Sequence, residues 1–280
     1  MSHAPNTLYV TDLDGTLLNN GSMVSLHSAK ILSELSDSGA LITVATARTP
    51  ATVVPLMQAT GTRVPYIVMT GAAMYDPLTE SYCTASHIPP CDALTAMSIF
   101  NEYGINPFIY RLTSDGRTLS VYHHPQMTAQ EREFYEPRAH LKLKRFTFEP
   151  SPEPNADVIL FFATGKTAKI RPLGAALEST GKLSVSVYPD IFTSGVSIVE
   201  VYAAGVSKAS AISELAGKLG VDRVVCFGDN LNDIPMFGVA DLSVAVDNAF
   251  PPVKDAADIV IGPNYDDSVA RFIADDFHRQ

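Results

Sequence analysis

The chain has 280 residues, 46% of them hydrophobic, and a formal charge of −10 from 30 Asp and Glu against 20 Lys and Arg. That length can bury a core large enough for two domains, and the acidic balance argues against a nucleic-acid surface, which needs clustered cations to neutralise phosphates. Cys83, Cys91 and Cys226 are an odd number without metal-ligand spacing, residues 1–6 lead into a strand pattern rather than a signal-like apolar stretch, and no run approaches the ~20 apolar residues of a membrane span.

A reducing, cytoplasmic setting is therefore expected, with no membrane and no protein partner implied. Leu8-Tyr9-Val10 is apolar on consecutive residues, as in a parallel strand covered on both faces. It runs into Thr11-Asp12-Leu13-Asp14-Gly15-Thr16, two carboxylates one residue apart where the chain is about to turn. Ser25 can cap a helix with Leu26, Ala29, Leu32 and Leu35 on one side and Gly39 at its end. Residues 41–45 read as a second buried strand, Thr49-Pro50 as a cap followed by proline at the first helical position, and residues 66–69 as a third strand. Residues 73–75 with Asp76-Pro77 read as a hairpin leading out of this domain.

From about residue 83 to 190 the pattern changes to α+β. A helix over residues 92–103 precedes strands at 105–110 and 118–123, joined through the turn signal Ser114-Asp115-Gly116. Thr128 and Glu131 form a capping-box pattern, and the proline-rich stretch 149–155 can be only an extended loop. Strands at 158–162 and 183–188 flank a helix near 167–177. The βα rhythm then resumes after a strand at 196–201: a helix over 208–219 closed by Gly220, then strands at 224–227, 242–246 and 259–261.

Lys208 sits where a helix disfavours it, since a cation in the first turn opposes the macrodipole by a few tenths of a kcal/mol. A compensating anion is expected. Gly228-Asp229-Asn230-Leu231-Asn232-Asp233 follows a strand, and Thr46-Ala47-Arg48 follows another. Each segment alone has a plainer reading: Asp, Asn and Gly are ordinary turn residues, Thr46 ends a buried strand, and Lys208 or Arg48 faces water.

In order, these four segments resemble the haloacid dehalogenase-like phosphohydrolases: DxDGT, a Thr after the second strand, a Lys opening a helix, and GDxxND near the C-terminus. The large insert between them resembles the Cof-type branch. The resemblance implies an α/β fold, a Rossmann-like doubly wound parallel sheet core of residues 1–82 and 191–280, interrupted by an inserted α+β cap, or lid, of residues 83–190. The first strand would be central, bringing Asp12, Thr46 and Asp229 to neighbouring strand ends, where ligands bind open α/β sheets.

It further implies that Asp12 is the nucleophile, forming an aspartyl-phosphate, and that Asp14 is the acid and base. The acid role needs an environment that raises Asp14 above the ~3.9 of free Asp. Mg²⁺ would be held by Asp12, the Asp14 backbone carbonyl and Asp229, with Asp233 in support. Lys208, Thr46 by its hydroxyl or amide, Ala47 and Asn232 would surround the phosphoryl group, with Arg48 facing the site, the lid or solvent. Ala47 stands where the family usually has Gly, and Thr70-Gly71 where Asn-Gly is common.

The expected function is Mg²⁺-dependent hydrolysis of small phosphorylated metabolites, sugar phosphates first. A phosphomutase and a non-catalytic phosphate-ligand binding protein are the alternatives. A GxGxxG dinucleotide signature is absent after the first strand. Of His123 and His124 at most one faces inward, Cys226 reads as core, and Asp275-Asp276 as a solvated helix end.

Overall fold

The computed structural model describes residues 6–112, 116–154, 157–190 and 193–279. The chain opens with β1 (Thr7–Thr11), buried throughout. Ser25 caps α1 (Leu26–Asp37) by accepting from the Ser28 amide. Ala29, Leu32 and Leu35 turn inward, but Leu26, expected on the same side, is 90% exposed. A helical side chain lies over the turn preceding its own Cα, and the first residue has no such turn. β2 (Leu41–Val44) follows, then α2 (Pro50–Met57), whose proline starts the helix while the Thr49 side chain makes no cap bond. β3 (Tyr66–Val68), β4 (Ala73–Asp76) and β5 (Ser81–Ala85) form a small sheet in that order. A parallel bridge between Ala45 and Ile67 links it to the strand before it.

The next stretch holds α3 (Pro90–Glu102), β6 (Phe108–Leu112), β7 (Leu119–His123), α4 (Ala129–Tyr135), β8 (Lys144–Phe148), β9 (Val158–Lys166), α5 (Thr167–Glu178), β10 (Leu183–Pro189) and β11 (Val196–Ala203). Its strands make one six-stranded sheet in the order β10-β11-β9-β6-β7-β8. Ile109, Phe161, Ala163, Val199 and Val201 share a core with Phe100 of α3 and Ile170 and Leu173 of α5. On the other face, Phe134 of α4 packs on Phe108 and Phe162, with ring centroids 5.1 and 4.2 Å apart. The Thr128 and Glu131 capping box is present. Ser114 and Asp115 of the expected hairpin turn, and Asn155 of the proline-rich loop, lie outside the described residues.

Two strands of this stretch differ from expectation. β8 was not anticipated. β11, expected to return to the first domain, instead lies between β9 and β10, antiparallel to both. The chain accordingly divides into one compact unit up to Cys83 and from Ser207 onward, and a second over Thr84–Val206. The boundary is at 206, not 190.

The first unit resumes with α6 (Lys208–Leu219), closed by left-handed Gly220, then β12 (Arg223–Gly228), α7 (Ile234–Phe237), β13 (Leu242–Val246), α8 (Pro251–Ala256), β14 (Ile259–Ile261) and α9 (Ser268–Phe277). Five parallel strands run β14-β13-β12-β1-β2. β1 thus lies between β2 and β12, as expected. Asp276 is not a solvated helix end: it is 19% exposed, takes Arg223 at 2.6 Å and accepts from the Tyr9 hydroxyl at 2.8 Å. Among the described residues no helix is long and apolar enough to cross a membrane.

Candidate active site

The register pairs Thr11 with Phe227, so the residues just beyond the carboxyl ends of β1 and β12 fall side by side. The Asp12 amide donates to the Phe227 carbonyl at 2.9 Å, which extends that pairing by one residue. Asp12, Asp229 and Asp233 each bring a carboxylate oxygen to one place, all within 4.8 Å of one another. Lys208 supplies the counter-charge from the first position of α6, donating from Nζ to Asp12 Oδ1 at 2.6 Å and to Asp233 Oδ1 at 2.7 Å. It is 2% exposed, against 7% for Asp12 and 0% for Asp233. The anion that its position demanded is this pair.

The turn after β1 is shaped for Asp229. Gly15 has φ +80, and a Cβ there would stand 2.3 Å from Asp229 Oδ2. Both the left-handed backbone and the close approach require glycine. Thr16, fully buried, donates its hydroxyl to Asp229 Oδ1 at 2.9 Å. Asp233 Oδ2 accepts from the Asp229 and Asn230 amides at 3.0 and 3.1 Å. Asn248, just past β13, donates to the Gly15 carbonyl at 2.7 Å. The sequence reading gave no separate role to Thr16 or Asn248; the signal available for Asn248 was an amide at a strand end of the same sheet.

Electrostatics follow from this packing. Burial pushes Asp12 above the usual carboxylate range; Lys208 opposes it and Asp233 and Asp229 add to it. Burial likewise raises Asp229 to about 6, opposed by Thr16 and aided by Asp233. For Lys208, burial disfavours the charge but is outweighed by Asp12 and Asp233, which hold it above the usual ammonium range. Three carboxylates face one ammonium, leaving an excess of negative charge in low dielectric. Oxygen ligands with surplus charge fit a hard divalent cation.

The remaining residues settle differently. Asp14 points to Arg48, which donates from Nε to Oδ2 at 2.7 Å and from Nη2 to Oδ1 at 2.5 Å. Its side chain is 54% exposed. Arg48 is thereby in the site rather than on open surface. The Thr46 amide is spent on the Ile67 carbonyl at 3.0 Å, and its hydroxyl accepts from the Arg48 amide at 3.2 Å. Only the hydroxyl proton of Thr46 is left to donate. Ala47 is half-buried beside it. Asn232 is exposed on the turn Leu231–Asp233 and makes no hydrogen bond to the acidic cluster among the described residues.

Thr70, where Asn is common in the resembling family, has φ +56, and its amide donates to the Thr46 carbonyl. A β-branched residue in that region is strained. Gly71 is required there, since a Cβ would lie 2.2 Å from the Ser207 carbonyl. His123 is buried and stacked on Phe108 at 4.0 Å in the second unit. Cys226 is core, as expected.

The pyridoxal phosphate phosphatase YbhA of Escherichia coli (strain K12) is 28% identical over 275 residues, covering 94% of this chain and 95% of that protein. The 5-amino-6-(5-phospho-D-ribitylamino)uracil phosphatase YcsE of Bacillus subtilis (strain 168) is 25% identical over 269 residues, covering 95% and 94%. Among solved structures, a haloacid dehalogenase-like hydrolase from Bacteroides thetaiotaomicron has the same fold, with a TM-score of 0.78 at 22% identity over 97% of this chain and 99% of that one. The family model for haloacid dehalogenase-like hydrolases matches residues 9–273, from within β1 to within α9 and so through every residue of the acidic cluster. By sequence, by fold and by the residues at its strand ends, the chain belongs to the haloacid dehalogenase-like hydrolases.

Proposed function

We propose that this hydrolase is a Mg²⁺-dependent phosphatase of small phosphorylated metabolites, acting through an aspartyl-phosphate on Asp12. The observation that carries the reading is the meeting of Asp12, Asp229, Asp233 and Lys208 at the ends of β1 and β12. Lys208 fixes Asp12 by Oδ1, which leaves Oδ2 to attack phosphorus as the bond to the leaving oxygen breaks. The Lys208 ammonium and the Thr46 hydroxyl then meet the phosphoryl oxygens, where charge develops. Asp14 gives the departing oxygen its proton and later takes one from the water that cleaves the acyl phosphate. Arg48 must release one Asp14 oxygen for this to happen.

Asp12 and Asp229 would hold Mg²⁺, with the Asp14 backbone carbonyl as a third ligand by family resemblance and Asp233 braced behind them by Lys208 and two amides. When bound, the ion supplies neutralising charge next to the phosphoryl group.

Sugar phosphates are the first substrates to try. Pyridoxal phosphate and 5-amino-6-(5-phospho-D-ribitylamino)uracil join them, because relatives similar over nearly the whole chain carry those names. The test is a screen of phosphorylated metabolites for inorganic phosphate, with EDTA and with added Mg²⁺. Release that EDTA stops and Mg²⁺ restores is the expected result. Phosphoryl transfer to a second position of a sugar without free phosphate would make the enzyme a mutase, and no turnover of any phosphomonoester would leave only binding.

A further inference from the structure

The second unit holds a buried cation that the phosphoryl chemistry does not use. Lys144 opens β8 and is 7% exposed. Register places it opposite Leu119 of β7, on the sheet face that carries Tyr110 and Phe146. Its Nζ lies 5.7 Å from the Tyr110 ring centroid and 5.2 Å from that of Phe146. Among the described residues no carboxylate lies within ion-pair distance of it.

Among the described residues the charge that acts on Lys144 is another cation, Arg138, whose guanidinium covers the Phe134 ring at 4.3 Å and donates to the Phe134 carbonyl at 2.8 Å. Glu200, on the same face, accepts from the Tyr202 hydroxyl at 3.0 Å and also from Tyr188. Tyr110, 2% exposed, stands between, under the influence of both Arg138 and Glu200.

An ammonium buried without a counter-ion among the described residues costs several kcal/mol. Two aromatic faces return up to about 2 kcal/mol each when desolvated, and Arg138 adds repulsion. Burial, reinforced by Arg138, lowers Lys144 to about 8. An apolar residue would serve packing better here, as Phe146 does two positions along the same strand face. A cation kept at this cost has use for an anion.

We propose that Lys144, flanked by Arg138 and walled by Tyr110 and Phe146, forms an oxyanion-binding subsite in the second unit, suited to a carboxylate, sulfate or phosphate group. It stands on residues outside the acidic cluster and does not depend on the phosphatase reading.

The test uses the full chain in EDTA, so that the cluster of Asp12, Asp229 and Asp233 keeps its negative surplus and repels anions. Sulfate is titrated by calorimetry, and the thermal midpoint is followed against sodium chloride of equal ionic strength. Wild type should bind sulfate saturably, and Lys144→Met should weaken that binding at least tenfold. Without sulfate, Lys144→Met should melt no lower than wild type, because an uncompensated charge gives way to an apolar chain of similar volume. Lys144→Gln serves the same purpose if the Met variant does not fold.

Absence of saturable binding in wild type, or equal affinity in both proteins, overturns the proposal. So does a lower midpoint for Lys144→Met in sulfate-free buffer, which makes Lys144 a structural cation held by its two rings. The source of the oxyanion is read kinetically. A KM that rises in the variant only for substrates with a second anionic group assigns the subsite to the substrate; lost sulfate binding with those KM values kept assigns it to a separate anionic ligand.

Discussion

Lys208→Met removes the ammonium between Asp12 Oδ1 and Asp233 Oδ1 and leaves a chain of similar length without charge. Breaking one partner of a buried ion pair costs about 3–5 kcal/mol. Here the loss reaches two carboxylates, 7% and 0% exposed, with Asp229 as a further like charge, so the upper end of that range applies. At about 2–4 °C per kcal/mol, the unfolding of the first unit should fall by roughly 10–20 °C at a pH where the carboxylates are ionised.

The sign of the pH dependence is fixed by the same carboxylates. Without Lys208 the folded-state pKa values of Asp12 and Asp229, already raised by burial, rise further above the unfolded value of about 3.9. The penalty is therefore complete above the raised folded value, shrinks as pH falls through it, and is gone below the unfolded value. Calorimetric melts of wild type and variant in EDTA, from about pH 4 to about pH 10, measure this directly. Phosphate release with Mg²⁺ should fall at least a hundredfold, the loss typical of one preorganised donor. Melts within about 2 °C of wild type at a pH where the carboxylates are ionised would refute the view that this ammonium holds the cluster, and a rate loss below about tenfold would put the phosphoryl-binding cation elsewhere.

Asp12→Asn keeps the shape of the nucleophile and should abolish turnover while the protein stays folded; near-normal phosphate release would remove the covalent mechanism. Gly15→Ala drives a Cβ to 2.3 Å from Asp229 Oδ2 at φ +80, so Mg²⁺ titrations of activity should show affinity down by about 10- to 100-fold. Unchanged affinity there would take Asp229 out of the ligand set. Asp229, raised to about 6, should make the metal-free protein lose stability as pH climbs from the unfolded value to about 6, by at most about 3 kcal/mol. Mg²⁺ needs the ionised form, so the midpoint gain on adding it should grow between about pH 5 and 7; a gain equal at both would contradict the assignment. Thr70→Asn, at φ +56, should stabilise by about 1 kcal/mol in chemical denaturation by relieving strain, with the Thr46 contact kept.

The acidic cluster was legible through the family resemblance, which implied a central first strand; Asp12 and Asp229 then follow neighbouring strand ends, and Asp233 joins them from the turn after β12. Lys208 was legible for a different reason: its position opposes the helix dipole, and Asp12 and Asp233 repay it. The Arg48 and Asp14 pair was not legible, since a flexible guanidinium reaches many places from one backbone position. β8 escaped because the inward residue that opens it is Lys144, which breaks the apolar alternation. β11 was misassigned because a strand of residues such as Val196, Ile198 and Val201 suits either sheet, and only its long-range pairing with β9 and β10 decides. Asp276 looked like solvent-facing charge until Arg223 and Tyr9, from strands far away in the chain, closed on it.

The placement of β1 between β2 and β12 has a consequence for synthesis on the ribosome. Thr7 pairs with Arg223, so one edge of an entirely apolar-flanked strand waits for the last quarter of the polypeptide. At about 5–20 residues per second that interval is roughly 10–40 s. During it, residues 84–206 emerge as one contiguous stretch able to complete its own sheet, while the nascent β1 shows an unpaired backbone edge, the usual template for misassociation. A transcript truncated before Arg223 would leave that edge open permanently, and its product should aggregate or be degraded where the intact chain folds.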